Sequence, residues 1–208
     1  MSLVELSSKD FSQQLASKAA VPGGGGASAL AGAWAAALGS MVGSLTLGKK
    51  KYEAVQDDIR SLMDRAEELR QQLLSCVDED AAAFEPLSKA YAIAKDDPSR
   101  EAIMEAALKE AASVPLKIVR LCCQSMELLD GFGQMGSALA ISDAATGAAI
   151  AKGALYGGAV NVFVNTSLMK DRAYAAEIEG EVRSCMERYG ELADKIYDRV
   201  MEKLSRNE

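Results

Sequence analysis

The sequence predicts an all-α protein, an up-and-down bundle of five to six helices whose two central helices are rich in alanine and glycine. Of the 208 residues, 49% are hydrophobic but only 5% are aromatic, which suits closely spaced helices better than a sheet of β-branched side chains. Apolar residues recur at helical spacing along most of the chain. No linker or internal repeat divides it, so residues 1–208 are expected to form one helical domain.

The first two helices have recognisable start and stop signals. In "KDFSQQLASK", Phe11 and Leu15 share one face, and Ser7 or Ser8 can cap the helix that carries them. The second helix is expected to begin in or just after the glycines of "PGGGG". It should end near Gly48, because a glycine followed by lysines is typical of a helix C-terminus.

Two long helices follow. The third is expected over about residues 54–95, with a kink at Pro86. In "DDPSRE", Asp97 can cap a fourth helix and Pro98 can take its first position. That helix is expected to run to about residue 129.

The C-terminal third is expected to contain a loop and two further helices. The glycines of "DGFGQMG", residues 130–136, predict a loop. Ser142 or Asp143 can cap the fifth helix, which is expected to be interrupted at Gly157–Gly158. The last helix, about residues 172–204, has one strongly charged face.

Residues 19–48 contain no charged side chain, a run long enough to cross a membrane. Most of the run is alanine, glycine and serine, so its transfer into lipid is poor compared with leucine or isoleucine. Gly32, Gly39 and Gly43 recur at spacings that let another backbone approach closely. We therefore interpret the run as a buried helix of a soluble protein and expect no membrane partner.

Charge and composition exclude several classes of function. The net charge is −7 and the chain has no histidine, which excludes a histidine-activated nucleophile and the usual histidine-containing zinc sites. Nucleic acid is not an expected partner, because no basic stripe exists beyond Lys49–Lys51. Four cysteines without C-x-x-C spacing, and no secretory leader pattern, predict a cytoplasmic protein. Acid–base chemistry must then use carboxylates, lysine, tyrosine or water.

The glycine run Gly23–Gly26, preceded by Pro22, has two interpretations. Four glycines leading into a helix can present backbone N–H groups beside the positive end of the helix dipole, which would hold an anion. The run lacks the lysine and hydroxyl residues of a phosphate-binding loop, and no strand precedes it. Alternatively, it forms a tight helix connection that needs positive φ angles.

Other polar residues also allow a structural or a functional interpretation. The cluster Lys49, Lys50 and Lys51 can neutralise a helix dipole or hold a polyanionic substrate tail. Tyr52 and Tyr156 can stack on a planar ring.

Carboxyl and amide side chains in apolar surroundings are further candidates. Asp143 lies in an almost wholly apolar stretch, where it can cap a helix or do chemistry. Asn161 and Asn165 share a helix face and can tie helices together. Asp80 and Phe84 also share a face, within an acidic run that is expected to be mostly solvated surface.

Four stretches of the sequence, taken in order, resemble the cyclodeaminase/cyclohydrolase family. They are "VPGGGGASALAGAWAAALGSMVGSLTLGKKKY", "DAAAF", "SVPLKI" and "ISDAATGAAIAKGALYGGAVNVFVN". This is the folate-processing domain at the C-terminal end of formimidoyltransferase-cyclodeaminase, and it also exists as free-standing bacterial proteins such as methenyltetrahydrofolate cyclohydrolase. The resemblance implies a helical bundle, usually a homodimer, that acts on a folate derivative at the N5/N10 bridge.

The resemblance leaves the reaction open. A cyclodeaminase makes 5,10-methenyltetrahydrofolate from the 5-formimino form and releases ammonia. A cyclohydrolase opens the methenyl bridge to 10-formyltetrahydrofolate. The alternative from another class is a catalytically silent dimeric scaffold or folate-binding module. Neither reaction is expected to need a metal, or a cofactor beyond the tetrahydrofolate substrate.

The resemblance also implies a set of site residues. The catalytic candidates are Asp143 and Asp80, and we hypothesise that Asp143 activates the attacking water or N10 and passes a proton to the departing nitrogen. The asparagines would bind the pterin or the reacting amidine, while the glycines and lysines would hold the glutamate tail. The substrate-binding candidates are Pro22, Gly23, Gly24, Gly25, Gly26, Lys49, Lys50, Lys51, Tyr52, Asn161 and Asn165.

Overall fold

The structure, a computed structural model, describes residues 2–205 and is all-α over that range. Its six helices are α1 (Ser8–Leu15), α2 (Gly24–Ser44), α3 (Gln56–Tyr91), α4 (Arg100–Met135), α5 (Ile141–Thr166) and α6 (Arg172–Ser205). Two short 3₁₀ segments, Lys50–Val55 and Ala138–Ala140, precede α3 and α5. No strand occurs among these residues. The predicted helical bundle is therefore confirmed.

Helix α4 organises the bundle. It packs against α2, α3, α5 and α6, and it is buried on several sides, with Ile118, Met126 and Phe132 inaccessible to solvent. Helices α2 and α5 pack against each other as well as against α4, and α3 lies against α2. Each of α2 and α5 buries one side in the core and leaves the other side exposed.

Small residues in α2 and α5 allow close helix packing, as the sequence pattern predicts. A Cβ atom added to Gly32 would lie 3.1 Å from Cys122 Sγ on α4, and one added to Gly39 would lie 2.9 Å from the ring of Phe132. A Cβ on Gly147 would lie 3.2 Å from the carbonyl oxygen of Ala35. Side chains at these glycines would push the helices apart, because packed interiors leave little free volume.

The segment "DGFGQMG" is not the predicted loop, because α4 continues through Met135. Phe132 is fully buried here. A Cβ on Gly131 would lie 3.0 Å from Leu62, and one on Gly133 would lie 3.8 Å from Ala144. These glycines serve helix contacts, and burial of Phe132 offsets their low helix propensity.

Several predicted helix boundaries also change. Helix α5 begins at Ile141, so Ser142 and Asp143 occupy its first turn and neither caps it. It stays helical through Gly157–Gly158, where the predicted interruption is wrong. A Cβ on Gly157 would collide with Ser28 of α2, and one on Gly158 would lie 3.2 Å from Val119 of α4.

The start of α4 differs from the prediction too. The helix begins at Arg100, and Asp97 instead accepts a 2.8 Å hydrogen bond from the backbone N–H of Ser99 before the helix. Pro98 therefore lies outside the helix. In α3, the chain stays helical through Pro86.

Two of the described helical segments are long and apolar enough to cross a membrane by length and composition, Gly24–Ser44 and Ala138–Thr166. Both are partly buried against the other helices of the bundle. Core helices of soluble proteins satisfy the same criterion, so this is weak evidence for a membrane.

Candidate active site

The glycine run forms the start of α2 without any positive φ angle. Gly23 is the N-cap residue, with a φ of −118°, and Gly24–Gly26 form the first turn. Among the described residues, Gly48 is the one with a positive φ, 74°. A tight turn with positive φ angles is therefore not the reason for the glycines.

Close approach by two other helices explains the glycines. A Cβ on Gly24 would lie 2.9 Å from Asn161 Nδ2 of α5, and a Cβ on Gly25 would collide with the carboxylate of Asp80 on α3. Only glycine leaves room for both side chains at this helix end. Pro22, just before the turn, is buried.

Asp80 is held directly at the start of α2. Its Oδ2 atom accepts a 2.9 Å hydrogen bond from the backbone N–H of Gly26. Burial raises the pKa of the Asp80 carboxyl, and the Gly26 N–H opposes this only in part. The expectation that the acidic run is mostly solvated surface fails at Asp80.

The two asparagines lie beside Asp80 on α5, and their side-chain N–H groups are already used. Asn161 Nδ2 donates to the carbonyl oxygen of Gly157 at 2.8 Å. Asn165 Nδ2 donates to the carbonyl oxygen of Asn161 at 2.8 Å. Each Oδ1 atom has no hydrogen-bond partner within residues 2–205. Both amide oxygens can therefore accept a hydrogen bond from a ligand.

These residues line a small cavity of about 150 Å³. We call the glycine turn, Asp80, Asn161 and Asn165 the glycine-turn cluster. Phe84, one turn beyond Asp80, and Val164 supply apolar walls. Small-molecule sites usually enclose about 300–1,000 Å³. The cavity of one chain is therefore too small to enclose a whole folate.

A second polar cluster lies beyond the C-terminal end of α2. Lys49 Nζ donates to Ser137 Oγ at 3.1 Å, and the backbone N–H of Ala138 donates to Tyr52 Oη at 3.0 Å. The Ala138 N–H lowers the pKa of Tyr52, with help from Ser137 and the adjacent lysines, although desolvation acts in the opposite direction. Lys49–Tyr52 with Ser137 form what we call the lysine–tyrosine cluster.

Sequence reasoning missed Ser137 and Ala138 as partners of this cluster. No local pattern marks them, because their contacts to Lys49 and Tyr52 span more than 80 residues of sequence. Lys50 and Lys51 are exposed. The other predicted stacking residue, Tyr156, lies against Gly190 of α6 and joins neither cluster.

Asp143 lies far in space from Asn161 and Asn165 of the same chain. It precedes Asn161 by 18 residues on the same helix, a distance of about 27 Å at 1.5 Å per residue. The hypothesis that Asp143 works beside Asn161 and Asn165 therefore fails within one chain, where Asp80 is the nearby carboxyl group. Asp143 is half-buried and has no hydrogen bond or ion pair within residues 2–205.

The predicted site residues thus separate into two groups at opposite ends of α2 and α5. The glycine-turn cluster lies at the N-terminal end of α2. The lysine–tyrosine cluster and Asp143 lie at the other end. Within residues 2–205, no three histidine, cysteine, aspartate or glutamate side chains are grouped in a way that could hold a metal ion.

The fold and these clusters define the class: an all-α bundle with a carboxyl group held against a glycine-rich helix N-terminus. A family model described as Formiminotransferase-cyclodeaminase matches residues 7–184. The chain therefore belongs to the formiminotransferase-cyclodeaminase family, and the resemblance seen in the sequence is confirmed.

Known relatives are of two kinds. Methenyltetrahydrofolate cyclohydrolase from Methylorubrum extorquens is 38% identical over 199 residues, which are 94% of this chain and 96% of the relative. Formimidoyltransferase-cyclodeaminase from Sus scrofa is 29% identical over 203 residues, which are 96% of this chain but 38% of that relative.

A solved structure shares the fold over almost its full length. The crystal structure of formiminotetrahydrofolate cyclodeaminase from Thermotoga maritima matches with a TM-score of 0.81 and 29% sequence identity. The match covers 97% of this chain and 96% of that one.

Proposed function

We propose that this chain is a folate one-carbon enzyme that acts at the N5/N10 bridge of tetrahydrofolate. One observation carries the proposal. Asp80, with its raised pKa, lines a cavity together with two amide oxygens and a glycine-rich helix start. Relatives that are similar along the whole length of this chain are named as enzymes of this chemistry.

The methenyl carbon of 5,10-methenyltetrahydrofolate belongs to an amidinium cation, which a nearby carboxylate stabilises. Water adds to this carbon and gives a tetrahedral intermediate. Breaking the bond from this carbon to N5, with a proton delivered to N5 and the hydroxyl proton of the intermediate released to solvent, yields 10-formyltetrahydrofolate. In this scheme Asp80 accepts the proton from the attacking water and returns one to N5. A raised pKa suits both steps, because the group must gain and lose a proton near neutral pH.

The neighbouring residues would bind and orient the substrate. The free Oδ1 atoms of Asn161 and Asn165 accept hydrogen bonds from pterin N–H groups or from the attacking water. The first-turn N–H groups of Gly24 and Gly25 have no partner within residues 2–205. They can hold a developing negative charge or a substrate oxygen at the positive end of the helix dipole.

We place the cyclohydrolase reaction first, because the relative named as a cyclohydrolase is 38% identical over 94% of this chain and 96% of its own length. The cyclodeaminase reaction is the second candidate. It is supported by the solved structure of that name, which matches at a TM-score of 0.81. In the cyclodeaminase reaction, N10 attacks the formimino carbon and ammonia leaves. The Asp80 carboxyl would then protonate the leaving nitrogen. We further propose a cytoplasmic homodimer that needs no cofactor beyond the folate substrate.

A single assay separates the candidates. Purified full-length protein is supplied with 5,10-methenyltetrahydrofolate and, separately, with 5-formiminotetrahydrofolate, while methenyl absorbance and ammonia are followed. Loss of absorbance above the uncatalysed rate supports the cyclohydrolase, and gain of absorbance with ammonia supports the cyclodeaminase. Absence of turnover with both substrates would reject the proposal that the chain is an enzyme. Folate-dependent thermal stabilisation would then indicate a binding module.

A further inference from the structure

Two of the four cysteines meet across the packed helices α4 and α6, outside both polar clusters. We propose that Cys123 and Cys185 are a site of reversible oxidation, at which a hydroperoxide converts the two thiols into a disulfide. The disulfide joins the last helix of the bundle to its central helix. The inference goes beyond the proposed function and does not depend on it, because no residue of either polar cluster takes part.

Two side-chain hydrogen bonds fix the register of α4 and α6 on either side of the cysteines. Arg120 Nε donates to Glu181 Oε1 at 2.6 Å, and Tyr189 Oη donates to Glu127 Oε1 at 2.7 Å. Each bond links a residue of α4 to one 61 or 62 positions later on α6, so the two helices run in the same direction. The two cysteines are 62 residues apart as well. They lie between the two bonds, and the register places them opposite each other.

The two thiols are in contact and differ in exposure. Burial, and after it the hydrogen bond with Cys185, raise the pKa of the Cys123 thiol. Cys123 is 5% exposed, whereas Cys185 is half-buried, so a small oxidant reaches Cys185 first. A disulfide requires sulfur atoms about 2.05 Å apart. Thiols that already share a hydrogen bond reach this distance by side-chain rotation and a small shift of the helices.

The other two cysteines lack this access to solvent. Cys76 and Cys122 are inaccessible, and burial raises the pKa of each thiol to about 12. The Cys76 thiol is directed toward Glu79, with its Sγ atom 3.9 Å from Glu79 Oε2. Buried thiols with a raised pKa react slowly with oxidants, because the thiolate is the nucleophile. These two cysteines therefore serve as internal controls for the proposed pair.

The oxidation proceeds in two steps that balance. The Cys185 thiolate attacks one oxygen of the hydroperoxide, so that an S–O bond forms, the O–O bond breaks, and the departing oxygen leaves as water or an alcohol after gaining a proton. The Cys123 sulfur then attacks the sulfenic sulfur of Cys185. An S–S bond forms, the S–O bond breaks, and the hydroxyl leaves as water with the proton of Cys123. Two thiols lose two electrons in all, and the hydroperoxide gains them.

The position of Cys123 behind Cys185 makes the oxidation reversible. A sulfenic acid that meets no thiol is open to further oxidation to the sulfinic acid, which ordinary thiols do not reduce. Capture by Cys123 stops the oxidation at the disulfide. A dithiol reductant then attacks the more exposed sulfur, that of Cys185, and releases Cys123 as the thiol. The reductant is oxidised to its own disulfide, and both cysteines return to the starting state.

The disulfide closes a long loop that contains the whole of α5. Helix α6 packs against α4 and α5, and the segment between the two cysteines runs from the second half of α4 through α5 into α6. A cross-link over so long a loop restricts the unfolded chain and thereby stabilises the folded one. Asn161 and Asn165 lie within the loop, but neither contacts the cysteines. The disulfide is therefore expected to raise thermal stability and leave the glycine-turn cavity unchanged.

Disulfide mapping tests the site directly. Reduced full-length protein is treated with a small molar excess of hydrogen peroxide, unfolded, alkylated and digested, and its peptides are identified by mass spectrometry. Two of the four thiols are expected to be lost, with Cys185 linked to the peptide that carries Cys122 and Cys123. Cys122→Ala should form the same link, which assigns it to Cys123, and Cys185→Ser should form none. Four remaining thiols, a link that Cys122→Ala lacks, or a covalent dimer on a non-reducing gel overturns the proposal.

Melting temperatures test the effect of the bond. The oxidised wild type is expected to melt about 5 °C or more above the reduced protein, and dithiothreitol should restore the original value. Cys185→Ser receives the same peroxide, controls for methionine oxidation, and should show no gain. An oxidised wild type that melts no higher than the reduced protein contradicts thiols already placed for the bond. A gain that persists in Cys185→Ser arises elsewhere and also overturns the proposal.

Discussion

The carboxylate of Asp80 accepts a 2.9 Å hydrogen bond from the backbone N–H of Gly26, across the N-terminus of α2. One of the two interpretations of the glycine run is that it binds an anion from a ligand, yet part of this anion site is occupied by the protein's own carboxylate. The arrangement places a titratable oxygen in the cavity while the N–H groups of Gly24 and Gly25 remain free.

Asp80→Asn is expected to lower kcat/KM by about 100-fold or more, the usual contribution of a general acid–base residue. The amide preserves the size of the side chain, and its oxygen can still accept the Gly26 N–H. Folate-dependent thermal stabilisation should therefore persist. Asp64→Asn, an exposed position on the same helix, is the control and should stay within about twofold of wild type. Equal activity in both variants would contradict the role of Asp80.

The stability of the protein is expected to depend on the ionisation of Asp80. Because burial raises its pKa in the folded state, the folded protein binds this proton more tightly than the unfolded chain. This group therefore favours folding below its ordinary pKa of about 3.9, and that contribution is lost as pH rises through the raised folded-state value. Asp80→Asn should thus melt at a higher temperature than wild type at pH 7.

The difference in melting temperature is expected to shrink as pH falls toward about 4, where the wild-type carboxyl becomes neutral. Thermal melts of both proteins between pH 4 and 8 measure it. A difference that grows on acidification would mean that the Asp80 carboxylate stabilises the fold, contrary to the effect of its burial.

Gly25→Ala is expected to lower kcat/KM at least tenfold, because the new methyl group meets the Asp80 carboxylate and displaces it from the Gly26 N–H. A shift of about 1 Å at a reacting group is enough for a loss of this size. Gly180→Ala is the matched control, since nothing lies within 4 Å of an added Cβ there. The control should retain activity and gain slightly in stability, as helix-interior glycines usually do when replaced.

Tyr52 is expected to titrate below the ordinary tyrosine pKa of about 10, since the Ala138 N–H and nearby lysines favour its phenolate form. Ultraviolet difference titration of wild type and Tyr52→Phe isolates this group. In Tyr52→Phe, the absorbance change of the tyrosine that ionises at the lowest pH should be missing, and activity should also be lost. Tyr91→Phe, an exposed tyrosine on α3, should change neither. An unchanged titration in Tyr52→Phe would remove Tyr52 from the candidates.

Trp34→Glu is expected to give a monomer, because it places a charge at the middle of the exposed, uncharged side of α2, the surface through which we expect the proposed homodimer to pack. Tyr197→Glu, on α6, is the control, since Tyr197 is 46% exposed and Trp34 is 51% exposed. Sedimentation at several protein concentrations should show a monomer for the first variant and a dimer for the second. Activity should be lost in Trp34→Glu, which is a monomer, and retained in Tyr197→Glu, which remains a dimer. A dimer that survives Trp34→Glu would contradict packing through this face.

The sequence predicts the helices well and their ends less well. Helical spacing of apolar residues marks the long helices, and Ser7 caps α1 as expected. Gly131 and Gly133 mislead the prediction, because sequence alone does not distinguish a glycine that breaks a helix from one that admits Leu62 of a neighbouring helix. That distinction depends on tertiary packing.

The composition of the site was largely predictable, but its geometry was not. Asp80 was grouped with a solvated acidic run, because its partner Gly26 lies 54 residues earlier in the chain. Asn161 and Asn165 were recognised by their shared helix face and do line the cavity. The family resemblance assigns Asp143 to the same site as the asparagines, although the two ends of one long helix cannot meet within a chain. Only the antiparallel course of α2 and α5 reveals that the candidates form two groups.

The glycine contacts between α2, α4 and α5 have a consequence for the spacing of the two clusters. An added methyl group would meet the Phe132 ring at 2.9 Å from Gly39, and Leu129 at 2.6 Å and the Ala35 carbonyl oxygen at 3.2 Å from Gly147, so buried side chains of α4 and the backbone of α2 pack directly on these glycines. Sliding or bending of α2 relative to α4 would meet immediate steric resistance. The separation between the cavity and the lysine–tyrosine cluster is therefore fixed by the helix itself, which acts as a rigid spacer of constant length.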